Sequence, residues 1–215
     1  EYLDSANDPA NPSLPTVIYT AAEIAALEDF NAVATTTYQY ERGDYYFGTS
    51  TDKRFAGFGK VKETDPLGSI SYKYFHQGNA TSSSDGESAD VPAKMGKVYK
   101  EEKYDGSNNL YHRAFTKWQE YDLGNDRDFV AKIGATDLRY DGDSDHKDIA
   151  QEWVYSTAAG NLATTTQWGE VTASTTAYDF SDTGSDKRTT VTSYAAKSGE
   201  ETAFKSTETR YDQDG

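Results

Sequence analysis

Tyrosines that close a strand-like run and lead into a turn recur through the second half of this chain, at 104, 121, 140, 155, 178, 194 and 211. Successive gaps are 17, 19, 15, 23, 16 and 17 residues. A period of about 18 residues accommodates two short strands and two turns, so the spacing predicts a series of β-hairpins. Five of the tyrosines carry an aspartate next to them: Tyr104-Asp105, Tyr121-Asp122, Tyr140-Asp141, Tyr178-Asp179 and Tyr211-Asp212. Aspartate can accept hydrogen bonds from backbone amides just beyond it, and the glycine or asparagine that follows tolerates positive φ. The segments "YDGSNNL", "YSTAAGNL" and "YDQDG" share this turn chemistry, with the tyrosine ring free to cover a neighbouring strand.

The core available to such hairpins is thin. Leu, Ile, Val and Phe together number 31 of 215 residues, below the level at which a charged chain is suspected of disorder. Seventeen tyrosines and three tryptophans argue for order, because aromatic rings favour strands and bury large areas. The expectation is an all-β fold of repeated hairpins in one curved, spiralling antiparallel sheet, wetted on both faces. Strands such as "FKSTETRYD" and "KVYKEEKYD" do not alternate as the strands of a sandwich do.

Residues 1–34 stand apart from this pattern. "EYLDSANDPANPSLP" is acidic and proline-rich and reads as a piece cut from a longer chain. "TAAEIAALEDF" offers one short helix, with Thr20 and Glu23 at capping-box spacing, against the alternative of a strand beginning at "VIY". From Thr35 onward the chain reads as a β-array: pre-repeat strands over 35–77, a mobile polar loop over 78–92, and degenerate Tyr-Asp hairpins over 93–215. In "DPLG", Pro66 and Gly68 suit a tight turn. The "NAT" at Asn79 is read as a chance glycosylation match in a Ser/Thr-rich loop.

"KYDGSNNLYHRAFTKW" and "WVYSTAAGNLATTTQWGEV" resemble degenerate units of the Rhs/YD-repeat family. "RFAGFGKVKETDPLGSISYKYFHQG" resembles the segment that precedes the YD repeats in large bacterial surface and toxin-complex proteins of that family. The resemblance spans roughly Thr35 to Gly215. It departs at "YST" and "YAA", which replace "YD" at 155 and 194, and at Asn109 and Asn161, where the family's turns usually carry arginine before leucine. The resemblance implies a spiral of hairpins forming a hollow shell, enclosing or presenting a C-terminal toxin in some members. It implies an exported, cell-surface scaffold role without catalysis. The expected partners are neighbouring repeats of the same chain, a toxin cargo or a surface glycan, with self-association through sheet edges. An adhesin that grips a glycan or protein, assisted by calcium, is the alternative.

Charge and motif content narrow the chemistry. A formal charge of −15 repels phosphate backbones and anionic membrane surfaces, so nucleic-acid binding is not expected. No stretch approaches the roughly 18 consecutive apolar residues of a membrane span, so membrane insertion is not expected either. The absence of cysteine removes thiolate metal sites and tilts toward export. No nucleophile-elbow, zinc-protease, P-loop or dinucleotide motif is present, and no cofactor is expected apart from calcium. The calcium candidate is "RYDGDSDHKDIAQEW", where Asp141, Asp143, Asp145 and Glu152 occupy positions 1, 3, 5 and 12 of an EF-hand-like window. His146 stands where that loop needs glycine, and a strand would carry Glu152 away from the turn. A solvated acidic turn is the favoured reading. His76, His112 and His146 fall in separate units and are expected to be structural or exposed, His76 alone having the aromatic neighbours of a packed position. Gly57 and Gly59 in "AGFG" predict a bulge or close backbone packing. Trp118, Trp153 and Trp168 are expected to pack across hairpins.

Overall fold

The computed structural model describes residues 9–16, 18–28, 31–79, 81–124, 128–157, 160–184, 186–197 and 200–212. Among them the chain forms twelve strands and no α-helix. These are β1 (Glu23–Glu28), β2 (Asn31–Phe47), β3 (Lys53–Thr64), β4 (Ile70–Phe75), β5 (Val98–Tyr104), β6 (Leu110–Asp122), β7 (Asp128–Tyr140), β8 (His146–Tyr155), β9 (Leu162–Ala173), β10 (Phe180–Asp182), β11 (Lys187–Lys197) and β12 (Glu200–Asp212). They make one open antiparallel sheet in which spatial order follows chain order from β1 to β9 and continues to β11 and β12. Short β10 is the exception: it folds back on the end of β9, pairing Phe180 with Ala173.

The turns explain this meander. In 65–69 the Asp65 Oδ1 accepts the amides of Leu67 and Ser69, both at 2.8 Å. In 105–109 the Asp105 Oδ1 accepts the amides of Ser107 and Asn109 at 2.9 and 2.7 Å. The fourth residue has positive φ in both, Gly68 at 86° and Asn108 at 66°. "DPLGS" and "DGSNN" are thus one turn written in two sequences, and the backbone amides hold both carboxyls below the usual aspartate range. Tyr104, Tyr140 and Tyr155 end β5, β7 and β8, while Tyr121 and Tyr211 are the penultimate residues of β6 and β12. Two tyrosines break the expected pattern. Tyr194 lies inside β11, and Tyr178-Asp179 precedes β10 instead of ending a strand.

Strand alternation sorts the side chains onto two unlike faces. Register aligns Phe115 with Thr136, Thr136 with Ala150, and Ala150 with Trp168 across β6 to β9. Arg113, Leu138, Asp148 and Val171 form the next row on the same face. This face carries the apolar core of Phe115, Leu138, Ala150, Trp168, Val171 and Ala173, with Phe115 and Leu138 fully buried. Each of those two burials stabilises the fold by roughly 1.5–3 kcal/mol. The opposite face presents polar rows such as His112, Arg139 and Lys147.

The buried face is not wetted, contrary to the sequence expectation. Two excursions from the sheet, 76–97 and 174–180, cover it and touch one another. A Cβ placed on Gly86 would lie 2.2 Å from the Thr176 carbonyl oxygen and 2.7 Å from the Phe115 ring. Arg113 Nη1 ties the second excursion down by donating to the Thr175 carbonyl at 2.9 Å. Tyr178 lies over Gly134, whose missing side chain makes room for the ring, and donates to Glu152 at 2.9 Å. The unexpected position of Tyr178 is therefore that of a cover over the core.

One open alternative is decided, and the 78–92 loop is placed. The candidate helix in "TAAEIAALEDF" is strand β1, with Glu23 opposite Thr37 and Ala25 opposite Thr35. Its neighbour "ATTT" in β2 is β-branched and supplies a ladder of backbone partners that outweighs the weak helical pattern. The loop over 78–92 is built into the cover and includes buried Gly86 and Glu87. The glycines of "AGFG" behave as anticipated: the β2–β3 register slips beside Gly57, and a Cβ on Gly59 would come within 2.6 Å of Gln77 Oε1.

Candidate functional site

The densest buried polar cluster lies at the mouth of the first excursion. His76 leaves β4 and stays paired with the returning chain, donating its amide to Lys97 and accepting from Gly96, at 2.9 and 2.8 Å. Its ring is fully buried against Tyr99, with ring centroids 5.2 Å apart. Glu87 Oε1 and Asp90 Oδ1 approach His76 Nδ1 to 2.6 and 3.1 Å, and both carboxylates are almost wholly buried.

The second oxygen of each carboxylate is held by the excursion's own backbone. Asp90 Oδ2 accepts the amides of Gln77, Gly78 and Asn79 at 3.0, 2.7 and 3.3 Å. Glu87 Oε2 accepts the Ser82 amide. Around this centre, Lys94 is buried and donates to the Ala89 carbonyl, while Arg42 pairs with Asp85. Gln77 Nε2 bridges to the carbonyls of Arg42 and Gly57 at 2.7 and 3.0 Å. These contacts knit the excursion to β2 and β3.

Electrostatics within the cluster oppose one another. Burial pulls the His76 imidazole down, but the adjoining Asp90 and Glu87 outweigh it and leave the group above its ordinary value. Burial pushes Asp90 up, yet His76 and the amides of Gln77 and Gly78 hold it below the usual carboxylate range. Burial lowers Lys94 and raises Tyr99.

Among the described residues, His76, Glu87 and Asp90 form the one group of three or more His, Cys, Asp or Glu ligand atoms within 4.8 Å of each other. Asp141, Asp143 and Asp145 form no such group. They are exposed in the turn between β7 and β8, where Asp143 Oδ1 accepts the Asp145 amide at 2.9 Å. A recess of about 820 Å³ opens beside them, and Arg139 and Lys147 line it together with the acids. Glu152 lies in β8 opposite Gly134 and receives the Tyr178 hydroxyl, away from the turn.

The other singled-out residues are dispersed. Tyr104 and Asp105 serve the 105–109 turn, and Tyr72 meets the Tyr104 ring edge-on at 5.8 Å. The Tyr140 ring meets the His146 ring at a tilt, 4.9 Å between centroids, with Asp141 entering the acidic turn. Asp179 returns its carbonyl to the Ser174 amide at 2.8 Å. Tyr211 and Asp212 pair with Thr189 and Arg188 in the last ladder. His112 meets Asp137 at 3.2 Å and His146 meets Asp148 at 2.5 Å, so the three histidines serve separate partners. The tryptophans pack across strands: Trp118 donates to the Val98 carbonyl, Lys132 lies over Trp153, and Trp168 meets Phe180.

Sequence reasoning missed Glu87 and Asp90. The signal was faint: two acids in a small-residue loop that returns to a histidine flanked by aromatics.

No family model and no curated protein sequence matches the chain. Its fold is matched among solved structures. A crystal structure of TcdB2-TccC3 without the hypervariable C-terminal region superposes with a TM-score of 0.57 at 12% identity, over 83% of this chain and 12% of that one. The structure of TcdB2-TccC3-Cdc42 gives 0.55 at 13% identity, over 77% and 11%. The chain thus spans about an eighth of the proteins whose fold it shares, and the likeness is one of architecture.

Proposed function

We propose that this chain is a wall segment of a large exported bacterial protein of the Rhs/YD-repeat type, a scaffold that encloses or presents a C-terminal toxin. The observation that carries this reading is the likeness of most of the chain to a short stretch of TcdB2-TccC3. Fold alone does not assign function, so the reading also draws on the two unlike faces. One is sealed by excursions and the other is a polar sheet surface, an arrangement suited to a wall. In this reading the acidic turn is a solvated chain reversal, the segment performs no catalysis, and its partners are flanking strands of the same protein.

The alternative, a glycan-binding adhesin, draws on the recess beside Asp141, Asp143 and Asp145. A glycan array probed with the chain, with and without calcium, separates the two. The scaffold reading expects no reproducible binding in either condition. Micromolar binding to one sugar class would overturn it, and loss of that binding in the Asp143→Asn variant would place the ligand at the recess. Electron microscopy of the full-length gene product supplies the positive test, with a hollow shell containing this segment as the expected result.

A further inference from the structure

We infer that His76, Glu87 and Asp90 form a binding site for a divalent transition-metal ion that staples the 76–97 excursion to the sheet. Four observations converge on it. First, the two carboxylate oxygens lie 2.6 and 3.1 Å from His76 Nδ1, yet neither sits where an N–H bond would point. His76 Nδ1, Glu87 Oε1 and Asp90 Oδ1 are all buried without a hydrogen-bond partner in acceptable geometry. Three such ligand atoms within 4.8 Å of one another, none of them spent on a hydrogen bond, can share an ion.

Second, a single Nδ1 proton can serve only one acceptor well, whereas one cation serves both. Ligand atoms on a common tetrahedral zinc at roughly 2.0–2.2 Å lie about 3.3–3.6 Å apart; the oxygens here stand 2.6 and 3.1 Å from Nδ1, so the three ligands would spread by a few tenths of an ångström or more, up to about 1 Å, to admit the ion. Third, two buried carboxylates beside one imidazole leave the site anionic, at −1 with the ring protonated and −2 once the ring gives up its proton to bind a metal. A divalent ion neutralises this, which relieves the cost of burying unpaired anions. Fourth, the ligands are held in place. The remaining oxygens of Asp90 and Glu87 are fixed by amides of Gln77, Gly78, Asn79 and Ser82. Outer contacts of this kind orient metal ligands. One nitrogen and two carboxylate oxygens suit zinc and its neighbours in the first transition row. The role would be structural, since the three ligand side chains are almost wholly buried.

The test uses the whole chain, stripped with chelator and then titrated with zinc chloride alone. Calorimetry should give one site per chain. At a hundredfold excess over Kd the melting temperature should rise by about 5–10 °C. Cobalt(II) should give a visible d–d spectrum that zinc displaces. His76→Gln, Asp90→Asn and Glu87→Gln should each abolish the spectrum, whereas the Asp141→Asn/Asp143→Asn/Asp145→Asn variant should keep it. If a cluster variant fails to fold, the cobalt spectrum of the wild-type chain still decides. A featureless spectrum with no thermal shift would overturn the site and leave a proton shared by the three groups. A zinc response lost with the acidic-turn variant but kept in Glu87→Gln would likewise overturn it.

Discussion

The two excursions cover the same face of the sheet by opposite chemistry. Under 174–180 the contact is apolar: Tyr178 and Phe180 close over Trp168, Leu138 and their neighbours. Within 76–97 it is polar, because His76, Glu87, Lys94 and the side chain of Asp90 are buried and held by backbone groups and ion pairs. The first cover is stabilised by area removed from water, which tolerates small shifts. The second depends on each polar group finding its partner, and fails steeply when one is lost. A sheet poor in aliphatic residues can be sealed by a long polar loop, provided that the loop brings its own partners.

The largest effect should come from the apolar side. Phe115→Ala empties a fully buried position where both covers meet, and should cost about 3–5 kcal/mol in chemical denaturation. A loss below about 1 kcal/mol would mean that the excursions do not close over the sheet. On the polar side, Asp90→Ala removes the acceptor of three amides and a partner of His76. It should cost about 3 kcal/mol, with the loss centred on 76–97. If Asp90→Ala is neutral, the polar cover is held by something other than this cluster.

Tyr178→Phe keeps the ring over Gly134 and deletes only the bond to Glu152, so about 1 kcal/mol is expected. A larger loss would show that this cover too depends on polar contacts. The smallest effect lies in the turns outside both covers. NMR titration of the Asp65 and Asp105 carboxyls should give midpoints below the ordinary aspartate value, because backbone amides favour the charged form. With the folded value depressed, the stability these groups contribute is present above the unfolded pKa and is lost as pH falls through the folded one. Ordinary midpoints would show that the Asx bonds do not persist in solution.

Most of the meander was legible because its causes are local. Asp105 with Asn108, and Asp65 with Gly68, write the turn within five residues, and the tyrosines at 104, 140 and 155 mark strand ends as the spacing predicts. What escaped depends on distant partners. Tyr178 reads as a strand end, yet its position is set by Gly134 and Glu152. The polar composition of 78–92 signals solvent, but a carboxylate can be buried when three amides and an imidazole offset its desolvation. Strand β1 has a helical pattern and every residue exposed, so only the ladder to β2 decides its conformation. The His76 cluster was hidden for the same reason: a histidine beside aromatics looks like core until the returning loop delivers Glu87 and Asp90.

Hydrogen exchange by mass spectrometry tests the sealed face most directly. A sealed face requires that amides of 76–79 and 86–87 exchange nearly as slowly as those of β6 and β7, while the open turn at 141–145 exchanges fast. Exchange in 76–97 as fast as in the 141–145 turn would contradict it.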